Sequence, residues 1–299
     1  MKEWLLMKMK FKYMIGMSLV LILTVWVFTA RTAAAETVTI GGVEYERDGW
    51  GVKEPESDIQ IESAHLADFG VFSTESYPAK KTSYRLMEGT ELEAEVVRIA
   101  SPDEGPTVYV VSGIHGDERA GWYAASLLKQ ATVKCGVLYI IAPLNVYGAK
   151  NHVRFCCAEN IDLNRSFPGS ADGNPAERLA NAVFSDIDRV SPDFVFDLHE
   201  ARSTGEKADF LGSSLIYTTL DGIDELFMDL LFATQTGEIC SEPFSYNSPG
   251  PNGSINSTVG NLLKIPVVTV ETFRGYAMSR RIADQLSIVN YVLEYYKMR

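Results

Sequence analysis

His115 and Glu118 stand three residues apart in the stretch TVYVVSGIHGDER, residues Thr107–Arg119. An imidazole and a carboxylate at that spacing can turn toward one ion, and a nitrogen–oxygen pair suits Zn²⁺. His199, in DLHEA, offers a third ligand. Two histidines and one carboxylate leave a fourth position open for water, the arrangement of a catalytic rather than a structural zinc site. Glu271, in VVTVETF, directly follows an apolar run. A carboxylate placed there beside a zinc-water site is suited to proton transfer. The other two histidines read differently: His65 as a surface residue of a polar segment, His152 as a residue of a substrate loop.

Between these positions lies IDLNRSFPG, residues 161–169. Asp162 could accept the second ring N–H of a metal-bound histidine and fix its tautomer. Asn164 and Arg165 offer an amide and a planar guanidinium, a pair able to hold a carboxylate by two bonds. Arg154, ten residues before Asn164, is a second guanidinium able to face the same pocket.

These residues need a scaffold. Thr107–Ser112 is a short β-branched and aromatic run, so a buried strand, broken by Gly113. Apolar spacing predicts a helix over Ala120–Ala131, a strand over Gly136–Ile141 and a helix over Ala176–Val190, with Pro175 at its first position and Asn174 as cap. Asp193–Leu198 reads as a strand ending at His199, Gly222–Thr236 as a helix, Pro243–Asn261 as a loop, Ile265–Val270 as a strand ending at Glu271, and Ile282–Tyr296 as a closing helix. Alternation of this kind implies an α/β fold with a mixed, mostly parallel twisted sheet and helices on both faces. Each candidate ligand then follows the carboxyl end of a strand, the edge where open α/β sheets bind ligands.

Upstream, Thr37–Glu46 alternates around Gly41-Gly42 as a hairpin, and a second hairpin is expected from Ser83 to Ile99, turning near Gly89. Lys8, Lys10 and Lys12 precede an uncharged stretch, Met14–Ala30, and then Ala33-Ala34-Ala35. This is the pattern of a secretory signal cleaved after Ala35, or of an uncleaved N-terminal membrane anchor. The domain plan is therefore residues 1–35 as leader, 36–84 as a small β-rich extension and 85–299 as the catalytic domain. Loss of the leader removes five basic residues and one acidic residue, taking the net charge from −12 to −16. Such a surface argues against nucleic acid and anionic lipid as partners. Four cysteines, Cys135, Cys156, Cys157 and Cys240, are too few for a disulfide scaffold and lack C-x-x-C spacing. One bridge is permitted outside the cell, with the partners left open.

The ordered set H-x-x-E, D-L-N-R, D-L-H and a strand-terminal Glu resembles the zinc carboxypeptidase superfamily: carboxypeptidase A-like enzymes and the related succinylglutamate desuccinylase/aspartoacylase group. The resemblance runs from about Thr107 to Arg274. GIHGDE and the step of 81 residues from Glu118 to His199 look like the deacylase branch. Tyr246, the GSIN run at 253–256 and TVETF look like the carboxypeptidase branch.

The resemblance implies one zinc ion on His115, Glu118 and His199, with Glu271 as general base and acid. It further implies that Arg154 polarises the scissile carbonyl, Asn164 and Arg165 hold a substrate carboxylate, Tyr246 closes over the product, and Ile255 makes the pocket apolar. The expected activity is an exported metallocarboxypeptidase acting on peptides, cell-wall stem peptides if the source is bacterial. The alternative enzyme is an N-acyl amino acid deacylase. A catalytically inactive peptide-binding domain is a third reading, which predicts a lost ligand or base, and none of the four is lost.

Overall fold

The computed structural model describes residues 37–40, 43–48, 51–72, 75–202, 211–218 and 225–299. The proposed leader and the Gly41-Gly42 turn lie outside the described residues. No helix among the described residues is long and apolar enough to cross a membrane. The chain divides into two compact units, residues 1–49 and 50–299. In the first, β1 (Thr37–Ile40) and β2 (Val43–Asp48) form an antiparallel hairpin with Ile40 opposite Val43.

Among the described residues, the second unit begins with a short strand, β3 (Gly51–Val52), and is built on eight further strands. These are β4 (Lys80–Leu86), β5 (Ala94–Ala100), β6 (Thr107–Ser112), β7 (Val137–Ile141), β8 (Phe194–Ala201), β9 (Ser214–Thr218), β10 (Ser245–Asn247) and β11 (Val267–Phe273). Their spatial order is β10-β9-β11-β8-β6-β7-β5-β4. The four central strands, β11, β8, β6 and β7, run parallel, and antiparallel pairings join β9 to β11 and β5 to β7 and β4. The mixed, mostly parallel α/β architecture is therefore the observed one.

The α-helices among the described residues are α1 (Arg119–Leu128), α2 (Val146–Asn151), α3 (Pro175–Val190), α4 (Glu225–Gln235), α5 (Ile255–Thr258) and α6 (Met278–Tyr295). On one face of the sheet, Ala124 and Leu128 of α1, Phe227 of α4 and Ile282 and Leu286 of α6 close over β6 and β8. On the other, Leu179, Val183 and Ile187 of α3 join Tyr109, Val111 and Val195. Each such aliphatic or aromatic side chain taken fully out of water contributes about 1.5–3 kcal/mol. Helix α3 starts as its sequence demands: Asn174 accepts from the Glu177 N–H at 3.0 Å, Glu177 reciprocates at 2.8 Å, and Pro175 opens the first turn.

Three boundaries differ from expectation. Strands β8 and β11 each run past their chemical residue, because Glu200 pairs with Thr272 and Ala201 with Phe273 in continued register. His199 and Glu271 thus lie within strands, near their carboxyl ends. The segment expected as a loop over Pro243–Asn261 holds β10, α5 and the start of a π-helical turn, Val259–Leu263. Within residues 36–84, Ile61, Leu66 and Phe72 are buried in the larger unit's core, and β4 is the last strand of its sheet.

Candidate metal centre

Gly113 takes a left-handed φ of +74°, turning the chain sharply off the end of β6. At Gly116 a Cβ would sit 1.9 Å from the carbonyl carbon of Gly148, so only glycine lets the loop lie against α2. This turn brings His115 and Glu118 back over the sheet edge toward His199.

His115, Glu118 and His199 are all buried, and one potential ligand atom from each lies within 4.8 Å of the others. Glu118 sits at the centre. Its Oε1 is 2.7 Å from His115 Nδ1 and accepts from Arg154 Nη1 at 2.9 Å; its Oε2 is 2.6 Å from His199 Nδ1 and accepts from the Glu200 N–H at 3.0 Å. The opposite ring nitrogens face carboxylates. His115 Nε2 lies 3.1 Å from Asp162 Oδ1, and His199 Nε2 lies 2.8 Å from Asp197 Oδ1. Both imidazoles thus turn Nδ1 toward Glu118 and Nε2 toward an acid, and acids so placed can orient metal-bound histidines.

Burial alone would raise the Glu118 pKa, but His115 and His199 outweigh it and hold the carboxyl well below its usual range. Burial likewise disfavours a charged His199, yet Asp197 and Glu118 hold its pKa well above the ordinary histidine value. For Asp162, burial raises the pKa, but the His115 hydrogen bond and charge and Arg154 bring it to about 2. Two buried nitrogens and a carboxylate, backed by two further acids, make a donor set that fits a divalent cation, with protons released as it binds.

Glu271 on β11 is in register with His199 on β8. Burial pushes its pKa up to about 7; His199 draws it down while Glu118 pushes it further up. Its neighbourhood can therefore supply a carboxylate able to take and return a proton near neutrality.

The remaining predicted residues divide. Arg154 and Asp162 reach the centre through the contacts above. Asn164 comes near it, with Nδ2 3.3 Å from His199 Nε2, while its Oδ1 accepts from the Ile255 N–H at 3.0 Å. Arg165 donates to the Asn164 carbonyl at 2.6 Å and borders a cavity of about 500 Å³ lined also by Asp162, Phe167 and Glu177. Ile255 is fully buried in the core cluster that also holds Leu163 and Val267. Tyr246, on β10, places its ring 5.4 Å from that of Phe227 of α4, two strands from β11. His65 and His152 are exposed.

Asp197 went unremarked in the sequence. The signal was available in D-L-H: residues two apart on a strand share a face, so an aspartate at that offset reaches the histidine's ring. Also unremarked was the charge layer behind the site, where fully buried Arg281 of α6 pairs with fully buried Glu200 and donates to Glu54 at 2.8 Å. Nearby, Asp117 accepts from Arg202 at 2.9 Å and lies 3.3 Å from Arg274.

Residues 104–220 match the succinylglutamate desuccinylase/aspartoacylase catalytic domain family. An N-alpha-acetyl-L-2,4-diaminobutyric acid deacetylase from Halomonas elongata is 32% identical over 124 residues, 40% of this chain and 36% of the relative. The chain thus matches little more than a third of that relative's length. Among solved structures, the succinylglutamate desuccinylase/aspartoacylase from Rhodobacter sphaeroides superposes with a TM-score of 0.56 at 19% identity, covering 76% of this chain and 68% of that one. A metallo-carboxypeptidase from Burkholderia cenocepacia superposes with a TM-score of 0.55 at 14% identity, covering 73% and 64%. The segment similar to the succinylglutamate desuccinylase/aspartoacylase catalytic domain contains the whole His115–Glu118–His199 cluster, and the solved structures share this chain's α/β fold.

Proposed function

We propose that the chain is a zinc-dependent hydrolase that cleaves an amide bond next to a substrate carboxylate, with N-acyl amino acids as its first substrate class. The observation that carries this reading is the convergence of His115, Glu118 and His199 at one sheet edge with Glu271 in register beside them. A bound zinc ion would supply Lewis acidity and water of lowered pKa. Glu271 takes the proton from the attacking water and returns it to the leaving amine. Arg154, half-exposed and already at the centre, is placed to donate to the developing oxyanion. Arg165, at the cavity, gives the substrate carboxylate a cationic donor, and the Asn164 amide, beside His199, gives a neutral one.

The second reading is a metallocarboxypeptidase acting on peptides. It is favoured by the cavity beyond Arg165, whose roughly 500 Å³ lies in the range that takes a drug-sized ligand and so has room for more than a single small amino acid. We also read the chain as exported, on the basic-then-apolar pattern of residues 8–35; N-terminal sequencing of the protein recovered outside the cytoplasm tests this. For the activity, the zinc-loaded protein is offered N-acetyl and N-succinyl amino acids and, separately, peptides with a free carboxyl terminus, and the products are identified by mass. Release of an acid and a free amino acid supports the first reading, and release of a terminal residue supports the second. Cleavage of neither, with one zinc bound, refutes both.

A further inference from the structure

Cys156 and Cys157 are neighbours in sequence, both are buried, and their sulfur atoms lie 2.7 Å apart. They sit in a tight loop closed by two backbone hydrogen bonds, Cys156 N–H to Ile161 O at 2.8 Å and Ile161 N–H to Cys156 O at 3.3 Å. Cys157 has a left-handed φ of 62° and Asn160 one of 54°. Asparagine tolerates that region, but a cysteine there is an outlier held by its surroundings. The loop is placed with consequence. Two residues before Cys156 is Arg154, which donates to Glu118; one residue past Ile161 is Asp162, which faces His115. Cys135 and Cys240 lie elsewhere, the first donating to the Lys297 carbonyl and the second in the core of the opposite face.

We propose that Cys156 and Cys157 form a vicinal disulfide, a redox modification site that fixes the turn presenting Arg154 and Asp162 to the metal centre. The oxidant is a disulfide: a low-molecular-weight one such as oxidised glutathione, or the disulfide of an exported oxidoreductase. One cysteine thiolate attacks it to give a mixed disulfide and one thiol. The second cysteine then displaces the other sulfur, so two S–H bonds are exchanged for one S–S bond and the oxidant leaves as two thiols. Adjacent Cα atoms are about 3.8 Å apart, below the usual disulfide range of about 4.4–6.8 Å, so the bond would be strained and readily reduced. In the folded chain burial raises both thiol pKa values, so little thiolate forms there. Exchange is therefore fast while the loop is still open during folding and slow afterwards.

The test refolds the reduced full chain in a mixture of oxidised and reduced glutathione, denatures it without reductant, alkylates it and maps the peptides. The expected result is alkylation at Cys135 and Cys240 alone, with the peptide carrying Cys156 and Cys157 unmodified and lighter by two hydrogens. Alkylation at all four, or a bond from either vicinal cysteine to Cys135 or Cys240, overturns the proposal. This arm is independent of the hydrolase reading. The positioning arm rests on the metal centre and uses zinc retention: reduction by a phosphine should weaken zinc binding about tenfold in the wild type, the lower end of what losing an outer partner of a metal histidine costs. The Cys156→Ser/Cys157→Ser double variant should not respond to the phosphine. An equal response in the two proteins, or none in either, removes the positioning role.

Discussion

Glu271 stands beside His199, its register partner on the neighbouring parallel strand, so the position of this carboxylate is fixed by sheet hydrogen bonding rather than by a loop. Neither of its flanking strand residues can shift without breaking a fully buried ladder. A Glu271→Gln substitution keeps shape and hydrogen-bonding capacity but removes the proton acceptor. We expect zinc stoichiometry to be unchanged and turnover to fall by about 10²–10⁴-fold, the usual contribution of a general acid–base group. Zinc analysis beside steady-state assays checks this; a zinc-loaded Glu271→Gln protein of near wild-type activity would take Glu271 out of the chemistry.

The same residue sets a pH dependence. Glu271 acts as a base only when ionised, and burial lifts its pKa to about 7 in the metal-free site. A bound cation favours the carboxylate and lowers that value. The acid limb of kcat/KM should therefore fall at or below about pH 7, with activity present above it and lost as the pH drops through it. A limb centred above pH 8 contradicts this assignment.

Zinc should also stabilise the fold, because the ligand geometry exists only in the native chain. At a free zinc concentration 100 times Kd the gain is about 2.7 kcal/mol, visible as a rise in Tm. His115→Ala and His199→Ala should abolish that rise. Asp197→Asn, which alters the acid beside His199 Nε2 while keeping an oxygen able to accept from the Thr269 hydroxyl, should weaken zinc affinity about 10–100-fold without abolishing it. Thermal melts across a zinc titration separate the aspartate variant from the two histidine variants; an Asp197→Asn protein that binds zinc like the wild type denies the aspartate its orienting part.

Much of this centre was readable because its parts carry local signals. H-x-x-E follows a β-branched run and a glycine, and Asn174-Pro175 announces α3. What the sequence concealed was set by tertiary pairing. His199 and Glu271 look like residues just past strand ends because polar side chains follow them, yet sheet register carries both strands on to Ala201 and Phe273. Arg281 lies one residue before the point where apolar periodicity suggests the last helix begins, so its burial against Glu200 was invisible. The packing of Tyr246 against Phe227 and the burial of Ile255 on α5 are tertiary features that a motif does not carry. Ile61, Leu66 and Phe72 join the core from a segment without a helix or strand period, so no pattern marked them.

Glu200 and Arg281 supply the most direct test of how the centre is held. Their side chains are both fully buried and paired; Glu200 Oε2 also accepts from the Ala120 N–H at 2.9 Å, and Glu200 N–H donates to Glu118. One residue thus ties the start of α1, the end of β8 and a candidate ligand together. Burial already raises the Glu200 pKa, against the pull of Arg281 and Arg274. Arg281→Met leaves that carboxylate without its partner, and removing one member of a buried pair costs about 3–5 kcal/mol. The variant's Glu200 pKa must rise further, and a carboxyl with a raised native pKa is relatively favoured when protonated. The destabilisation should accordingly be larger at pH 8 than at pH 5, shrinking as the pH falls. Adding Glu200→Gln to Arg281→Met removes the stranded charge while keeping an acceptor for Ala120, so the double variant should recover part of the loss, with a coupling energy of about 0.5–3 kcal/mol. Urea unfolding of the two single variants and the double variant at both pH values measures each quantity. An Arg281→Met cost that is the same at pH 5 and pH 8, or strict additivity in the double variant, would mean that the pair does not act as a unit in holding Glu118 and β8 in place.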